Sequence, residues 1–397
     1  MLVFRYGLLS VSPLAAEAAL VPTCFGLGGS AAAPANLLFF VSLSLFFGQS
    51  CFVRVLIIKP SSLGDILHTF PAVYVLQQSQ KALQLSWVVN DGFAGIVSLL
   101  PGIERVIAFP RQRLGAWDLR AGKEFLAALR AEDYDVVIDF QGLLRSALMA
   151  RFSRTSLRVG FAHAREGATF FYQRKITVPG TVKHAIDKNL FLIRTLFNLP
   201  HDFAPEPVLQ VKESWVQEAQ QLLQAGKHPV LAIAFSSRWQ SKTWPPEFFA
   251  AVLRAVLLRV PEVHCWLLGS KSERAEGEKL CQLLHSSQVL NLAGRSSLET
   301  LVGLLKSSQA LLTNDSGPMH IAAALQTPCV ALFGATDPEL TGPYGGKRHL
   351  VFRTRCQQSP CFKHRCPYGA LACADGISPE EVANAIVSRL LASQMST

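Results

Sequence analysis

The stretch LLTNDSGPMHIAAALQTPCVALFG, residues 311–334, combines residue types suited to binding a phosphate group. A predicted strand gives way to a predicted helix here, Asp315 and Ser316 can cap that helix, and Gly317 lets a ligand approach the backbone closely. The N-terminus of such a helix carries unpaired N–H groups and the positive end of the helix dipole, and both favour an anion. His320 would face the same cleft. The alternative is that the acid and the serine only cap the helix and that His320 is a satisfied core histidine.

A second polar segment, FSSRWQSKTWPPEFF, covers residues 235–249. After a predicted strand it supplies the hydroxyl groups of Ser236 and Ser237 and the ammonium group of Lys242. Such donors beyond a strand end suit a diphosphate, and a lysine is a compact cation that can neutralise a leaving phosphate. A lone lysine is most often solvated, but the only charged neighbour in residues 229–246 is Arg238. We therefore expect Lys242 to meet a phosphate group.

A carboxylate lies at a third strand-to-helix junction, in the first half of the chain. The stretch VLIIKPSSLGDILHTFPAV, residues 55–73, begins with a buried-type strand, turns through Ser-Ser-Leu-Gly-Asp and continues with a helical pattern. Asp65 is thereby placed where the strand passes into the helix. The pattern alone leaves open whether this acid caps the helix or acts on a substrate.

The elements that must position these side chains alternate between short β-branched runs and amphipathic helical patterns, such as the predicted helix over residues 119–132. Strands are predicted over residues 55–58, 85–90, 105–109 and 135–140, and then over 230–235, 264–269, 288–294, 310–314 and 329–334. This alternation favours an α/β fold with parallel sheets covered on both faces. The proline-rich stretch LPHDFAPEP, residues 199–207, predicts a linker. Two Rossmann-like domains would then face a cleft and bind ligands at the carboxyl ends of their strands.

The composition of the chain agrees with two folded domains and indicates which kind of partner it binds. The chain has 397 residues, half of them apolar, which excludes a disordered protein. Its formal net charge is +10, and residues 54–205 carry 19 basic against 12 acidic side chains, whereas residues 206–397 carry 18 against 15. The first half is therefore expected to meet an anionic partner, either nucleic acid, an anionic membrane surface or a phosphorylated substrate. A basic face kept only for solubility is the alternative.

The first fifty residues differ from the rest of the chain. Residues 18–53 carry no charged side chain, and LLFFVSLSLFF, residues 37–47, is strongly apolar. A spanning helix needs about 20 apolar residues, and a secretory signal needs a basic start, for which only Arg5 is available. The segment is therefore predicted either to associate with a membrane or to be an upstream extension of the reading frame, with the functional protein beginning near Phe52.

Together these stretches resemble glycosyltransferase family nine, the bacterial ADP-heptose:lipopolysaccharide heptosyltransferases. The first-domain stretches YDVVIDFQGLLRSALMAR, residues 134–151, and VGFAHAREGATFFYQRKI, residues 159–176, look most like heptosyltransferase I. The resemblance runs from about Phe52 to the C-terminus and implies the GT-B architecture, with two Rossmann-like domains facing a central cleft. It divides the chain into an apolar extension (1–51), an acceptor-binding domain (52–203), a donor-binding domain (204–377) and a C-terminal helix (378–397).

The resemblance also implies an inverting transfer of heptose from ADP-heptose to a Kdo residue of Kdo-lipid A. Asp65 would be the general base that takes the proton from the acceptor hydroxyl, and Lys242 would stabilise the departing diphosphate. The other donor-side positions that match are Ser236, Ser237, Asp315, Ser316, Gly317, His320 and, with approximate spacing, Glu273 on the ribose. The acceptor-side positions that match are Lys59, Ser61, Ser62, Gly64, His68, Gln141, Arg145 and Arg165.

The family further implies an enzyme in peripheral contact with the cytoplasmic face of the inner membrane. No D-x-D motif occurs in either nucleotide-site stretch, so we expect neither a cofactor nor a strict metal requirement. The cysteines Cys356, Cys361, Cys366 and Cys373 have wider gaps than most structural zinc sites. They are expected to hold a metal, to remain free thiols in a loop or to form a disulfide.

Four other functions are alternatives to this one. A nicotinamide-dependent enzyme is disfavoured because no G-x-G-x-x-G follows either first strand. A lipid or polyanion binder without activity leaves the phosphate-site motifs unexplained, and a nucleic-acid binder lacks interleaved aromatic and basic residues. The serious alternative is a glycosyltransferase of the same fold with another nucleotide sugar or with a later inner-core heptose as acceptor, as in heptosyltransferase II.

Overall fold

The computed structural model describes residues 52–79, 82–202, 207–223 and 228–394. The chain divides into two units, residues 1–50 and 51–397, and all described residues belong to the second. The predicted apolar extension and residues 203–206 of the predicted linker lie outside the described residues. Within the part that is described, no helix is long and apolar enough to cross a membrane.

Two six-stranded sheets organise the second unit, and all strand pairs in both are parallel. The first sheet has the spatial order β3-β2-β1-β4-β5-β6 and the second has β12-β11-β10-β7-β8-β9. The strands are β1 Val53–Ile58, β2 Leu83–Asn90, β3 Ile103–Phe109, β4 Asp133–Asp139, β5 Arg154–Phe161, β6 Arg174–Ile176, β7 Val230–Ala234, β8 His264–Leu268, β9 Val289–Asn291, β10 Ala310–Asn314, β11 Cys329–Phe333 and β12 Leu350–Arg353. The predicted pair of parallel-sheet halves is confirmed.

Helices cover both sheets. They are α1 Leu63–Leu67, α2 Phe70–Ser79, α3 Ala94–Val97, α4 Arg111–Gly115, α5 Leu119–Leu129, α6 Leu144–Phe152, α7 Ala185–Phe197, α8 Glu213–Leu223, α9 Pro246–Arg259, α10 Arg274–Leu284, α11 Leu298–Lys306, α12 Gly317–Ala324, α13 Pro338–Thr341 and α14 Pro379–Gln394. The helix predicted over residues 119–132 ends at Leu129, because β4 already begins at Asp133.

Burial on both faces explains why the central strands are apolar without alternation. Val55 to Ile58 in β1 are fully buried, and every residue of β7, β10 and β11 is buried as well. Strands that are covered by helices on both sides need apolar side chains at successive positions. The three strands that sequence reasoning missed, β5, β6 and β12, include exposed positions or are only three residues long.

The strand order fixes where ligands can bind. In each sheet the chain leaves the first strand in one direction and later returns to its other side, so that β1 lies between β2 and β4, and β7 lies between β8 and β10. At such a switch point the two following loops diverge and leave a crevice at the carboxyl edge of the sheet. Residues after β1 and β4 therefore meet at one crevice, and residues after β7 and β10 meet at the other.

Candidate active site

The crevice of the second sheet holds a buried ion pair. Lys242 Nζ lies 2.6 Å from Asp315 Oδ2, and the side chains are only 17% and 5% exposed. The same carboxylate oxygen accepts a hydrogen bond of 2.6 Å from the Thr336 hydroxyl, and Ser237 Oγ donates to the Asp315 carbonyl oxygen at 3.1 Å. Ser237 and Lys242 follow β7 and Asp315 follows β10, so the switch point brings together the two segments that sequence analysis had selected separately.

The start of α12 agrees with an anion site rather than with a simple cap. Ser316 is the residue before the helix, but its side chain makes no capping hydrogen bond, and its Oγ lies 3.1 Å from Thr313 Oγ1. Asp315 is engaged by Lys242 and Thr336 instead of by the helix N–H groups. The interpretation of Asp315 and Ser316 as side-chain caps is therefore not what the structure shows.

Sequence reasoning missed two residues that hold this crevice together. Asn314, at the end of β10, donates from Nδ2 to the Phe235 carbonyl oxygen at 2.9 Å and accepts from the Trp244 N–H at 3.1 Å. It thus ties β10 to both ends of the segment that carries Lys242. Thr336 fixes the Asp315 carboxylate from the loop after β11. Their only sequence signal was their place beside the selected motifs.

Asp65 lies in the first turn of α1 and is half-buried. Its Oδ2 accepts two hydrogen bonds of 2.8 Å from Ser62, one from the backbone N–H and one from the hydroxyl. This contact fixes the orientation of the carboxylate and also caps the helix, so the two interpretations of Asp65 are compatible. The second oxygen, Oδ1, has no hydrogen bond to the described residues.

Two glycines allow α1 to approach α12 closely. A Cβ atom built on Gly64 would lie 2.5 Å from His320 Cδ2, and one built on Gly317 would lie 3.0 Å from Leu63 Cδ2. Only a residue without a side chain fits at the first position unless the imidazole moves. The helix that carries Asp65 therefore packs directly against the helix that begins at the phosphate crevice.

A pair of histidines closes the same contact. His68 Nε2 and His320 Nδ1 are 3.0 Å apart, and the Asn189 amide donates to the His68 carbonyl oxygen at 3.0 Å. Burial is the main cause that lowers the pKa of His68 well below its usual range, and the nearby His320 and His184 lower it further. Burial also lowers the pKa of His320, against the opposing charges of Asp315 and Asp65. Gly64 and His68 thus face the second half of the molecule, and their predicted acceptor contact stays a prediction.

The crevice of the first sheet is more deeply buried. Lys59 Nζ donates to the Phe140 carbonyl oxygen at 3.1 Å, and burial lowers the pKa of Lys59 while Asp65 and Asp139 oppose that shift. Asp139, which sequence reasoning missed, accepts from the Gln141 N–H, the Gly142 N–H and the Tyr172 hydroxyl. Burial raises the pKa of Asp139 above its usual range. These contacts fix the loops after β1 and β4.

An open cavity of about 210 Å³ continues from this crevice to the surface. Ser61, Gln141 and Arg145 line it, and Gln141 Oε1 accepts from the Ser61 N–H at 3.4 Å. Arg165 is exposed beside the cavity, where its N–H donates to the Gly142 carbonyl oxygen. The structure therefore brings these four acceptor-side residues to one surface.

The remaining predicted residues are not bonded to the Lys242–Asp315 pair or to Asp65. Glu273 follows β8, where its Oε2 accepts from the Ser270 N–H at 2.5 Å. Ser236 follows β7 and is half-buried next to Ser237. The four cysteines, Cys356, Cys361, Cys366 and Cys373, are free thiols that line one cavity of about 20 Å³. No group of three or more His, Cys, Asp or Glu side chains is placed to hold a metal ion among the residues described here.

The fold and the site define a class of protein. Two parallel sheets with the same Rossmann-like strand order place a carboxylate on one crevice beside a lysine-lined anion site on the other, which is the arrangement of a GT-B glycosyltransferase. The family model "Glycosyltransferase family 9 (heptosyltransferase)" matches residues 123–372. The chain therefore belongs to glycosyltransferase family 9, and the predicted family and fold are confirmed.

Individual relatives agree. The chain is 33% identical to lipopolysaccharide heptosyltransferase 1 of Pseudomonas aeruginosa over 86% of its own length and 99% of the relative's. It is also 33% identical to the Escherichia coli protein of that name over 76% of this chain and 93% of the relative. A solved structure of E. coli heptosyltransferase WaaC with ADP superposes with a TM-score of 0.69 at 28% identity, and the match covers 85% of this chain and all of that one.

Proposed function

We propose that this glycosyltransferase moves heptose from ADP-heptose to a Kdo residue of Kdo-lipid A, with inversion at the sugar. The observation that carries the proposal is the packing of α1 on α12, since it places the Asp65 carboxylate next to the start of the helix that borders the Lys242–Asp315 pair. Relatives named heptosyltransferase 1 support the reaction. Two similar solved structures are of E. coli heptosyltransferase WaaC with ADP and with ADP-2-deoxy-2-fluoro heptose.

The donor side follows from the charge at the second crevice. Asp315 and Thr336 hold the Lys242 ammonium at the end of β10, where the N-terminus of α12 also points. A diphosphate bound there receives the lysine and the helix N–H groups as donors, and both stabilise the negative charge that develops as ADP leaves. Ser236, Ser237 and Gly317 border the same space, and Glu273 is proposed to bond the ribose.

The chemical step needs one base. The acceptor hydroxyl oxygen attacks the anomeric carbon while the bond from that carbon to the diphosphate oxygen breaks and the hydroxyl proton passes to Asp65. Ser62 holds one carboxylate oxygen of Asp65, which leaves the other to accept the proton. Because the displacement is a single step on the face opposite the leaving group, the sugar inverts. A positioned base of this kind contributes about 10²- to 10⁴-fold in rate.

The acceptor side is the cavity at the first crevice. Arg145 lines it and Arg165 lies beside it, which suits the carboxylates of Kdo and the phosphates of lipid A. Gln141 and Ser61 supply neutral donors and acceptors for sugar hydroxyl groups. Lys59, Ser62, Gly64 and His68 act from beneath this surface, where they fix the loop after β1 and the contact between α1 and α12.

A lipid-linked acceptor requires contact with a membrane, and one surface of the first half suits that role. Trp117, between α4 and α5, is 86% exposed, and Leu119, the first residue of α5, is 75% exposed. Residues 111–130 carry five basic and two acidic side chains, and Arg111 at the start of α4 also lines the acceptor cavity. Exposed indole and leucine side chains among basic residues favour an anionic bilayer surface. We infer peripheral contact with the cytoplasmic face of the inner membrane through this surface.

Vesicle sedimentation tests the membrane surface. The full chain is expected to bind vesicles that contain phosphatidylglycerol better than neutral phosphatidylcholine vesicles, and the W117A/L119A double variant is expected to bind them several-fold more weakly. Leu258→Ala, at an equally exposed leucine on α9, serves as the control. Equal binding by all three proteins would refute the assignment of this surface.

The function itself is tested by the mass of the product. The full chain, the Asp65→Ala variant and a control variant are each incubated with ADP-heptose and Kdo-lipid A. The control is Asp133→Asn, because Asp133 begins β4 and the crevice lies at the other end of that strand. One added heptose with the parent and the control, and none with Asp65→Ala, is the expected result. Transfer only to an acceptor that already carries heptose would favour the alternative of a heptosyltransferase II-like reaction, and transfer by Asp65→Ala would remove that residue from the chemistry.

A further inference from the structure

The four cysteines belong to a segment without long regular structure that lies against the loop bearing Lys242. We call residues 356–373 the cysteine segment and residues 236–245 the donor turn. The Ser241 N–H donates to the His364 carbonyl oxygen at 3.2 Å, and Ser241 Oγ donates to the Lys363 carbonyl oxygen at 2.5 Å. Ser241 is only 3% exposed. Its two bonds therefore fix the donor turn to the segment in a place that excludes water.

An aromatic contact runs parallel to these hydrogen bonds. The rings of Trp239 and His364 stack with their centroids 4.0 Å apart and their planes inclined by 24°. The ammonium group of Lys242 lies 4.5 Å from the Trp239 ring centroid, within the range of a cation–π interaction. His364 therefore contacts Trp239, whose ring lies against the Lys242 ammonium group. The same ammonium group lies 2.6 Å from Asp315 Oδ2.

The cysteine segment is itself anchored to the sheet at the donor crevice. The Phe362 N–H donates to the Ala335 carbonyl oxygen at 2.9 Å, and Ser359 Oγ donates to the Gly334 carbonyl oxygen at 2.7 Å. A Cβ atom on Gly334 would lie 2.8 Å from the Ser241 carbonyl oxygen and 3.0 Å from Cys373 Cβ. The end of β11, the donor turn and the cysteine segment thus meet at one glycine.

The four thiols form a half-buried cluster within the segment. All four line one small cavity, together with Gly334 and Ala335. Burial, together with the adjacent Cys366, raises the pKa of Cys373 to about 12, so the thiol stays uncharged at neutral pH. Uncharged thiols behave as small apolar side chains. The cluster therefore gives an irregular segment a core of its own, which keeps residues 363 and 364 in place.

We propose that the cysteine segment positions Lys242 for the diphosphate of the donor, and that Ser241 and His364 are the positioning residues. Neither needs to touch the donor: each acts through the donor turn, Ser241 by its two hydrogen bonds and His364 by its stack on Trp239. The inference rests on the proposed role of Lys242 in binding ADP-heptose.

His364 offers the sharper test because its side chain is exposed and lies outside the buried core. ADP affinity is measured by calorimetry on the full chain, with the KM for donor and acceptor and the melting temperature alongside. His364→Ala is expected to weaken ADP binding by roughly 3- to 10-fold and to raise the donor KM equally, since one contact of modest strength is lost. The acceptor KM and the melting temperature stay unchanged, and His364→Phe, which keeps a ring on Trp239, restores ADP binding.

Two further variants separate this inference from the function on which it rests. Arg365→Ala, at an exposed neighbour, is the control and leaves ADP binding at the parent value. Lys242→Met reports on the donor site itself: if it binds ADP as the parent does, the role of Lys242 fails. If Lys242→Met loses affinity while His364→Ala and Ser241→Ala both bind ADP within twofold of the parent, the positioning role of the cysteine segment is refuted and the donor site stands.

Discussion

The two sheets share one strand order but equip their crevices differently. In the first sheet Lys59 is buried against a backbone carbonyl and Asp139 is buried among three donors, so these two charged groups brace the loops, while Asp65 is half-buried and bonded to Ser62. In the second sheet Lys242 and Asp315 form an ion pair at the mouth of the crevice. The same topology thus braces the loop that carries the proposed base in one half and forms an ion pair at the proposed phosphate site in the other.

The contact between the halves turns these crevices into one site. Gly64 lets α1 approach α12 until the His320 ring fills the place of a side chain, and the His68–His320 contact closes the interface from the same helices. The comparison therefore predicts separable effects. Changes at the second crevice alter donor binding, changes at the base alter turnover, and changes at the interface alter both.

The largest effect on donor binding is expected from Lys242→Met. A charge-assisted contact to a phosphate contributes about 1.5–3 kcal/mol, which is about 10- to 100-fold in affinity, and the variant also leaves Asp315 unpaired beside the ligand. Calorimetry with ADP measures it. Lys212→Met is the matched control, because Lys212 also lies over a tryptophan ring but at the start of α8. An equal loss of ADP affinity in both variants would mean that the net charge of the protein, rather than the position of Lys242 in the crevice, governs ADP binding.

A smaller effect is expected from Gly64→Ala at the interface. The added methyl group meets the His320 ring at 2.5 Å, so either the ring or α1 must shift. Overpacking of this kind costs about 1–3 kcal/mol of stability, and a displaced Asp65 lowers turnover as well. Denaturant unfolding measures the loss of stability, and a heptose-transfer assay measures the loss of turnover. Gly92→Ala, where a Cβ atom meets nothing within 4 Å, should match the parent, and a fully active Gly64→Ala protein would contradict the close-packed interface.

The smallest effect concerns pH. His68 has a pKa well below its usual value in the folded state because it is buried, so the unfolded chain binds a proton that the folded chain does not. Its contribution to stability is present above the unfolded pKa of about 6.5 and is lost as the pH falls towards the folded pKa. The free energy of unfolding is measured against pH between pH 7 and pH 5. Its slope should be smaller in His68→Gln than in the parent, by an amount that corresponds to up to about one proton taken up on unfolding. Parallel curves would show that His68 does not titrate on unfolding.

Sequence patterns were sufficient for the elements whose residues are buried on both faces. The sequence is apolar throughout β7 and β11, from Val55 to Ile58 in β1 and from Ala310 to Leu312 in β10, and these runs predicted the parallel sheets directly. The sequence did not predict β5 or β12. β5 begins at Arg154 and contains Arg158, and three of the four residues of β12 are exposed. Such strands depend on pairing with a neighbour rather than on their own composition.

The candidate site shows the same limit. Lys242, Asp315 and Asp65 were predicted because each follows a strand, where the topology collects functional groups. The contact of His68 with His320 spans 252 residues, and the bond of Lys59 to the Phe140 carbonyl spans 81, so no local pattern could reveal either. The support of the donor turn by the cysteine segment was equally invisible, because two backbone carbonyl groups and a ring stack between residues 125 positions apart provide it.

The central claim is that Asp65 in the first crevice is the base and that the second crevice binds the donor. The most direct test is the affinity of Asp65→Asn for ADP, measured by calorimetry on the same preparation in which heptose transfer is assayed. We expect heptose transfer to fall by about 10²- to 10⁴-fold while the dissociation constant for ADP stays within twofold of the parent value. An equally large loss of ADP affinity would place Asp65 in the donor site or in the fold, and would contradict the assignment of the base to the first crevice.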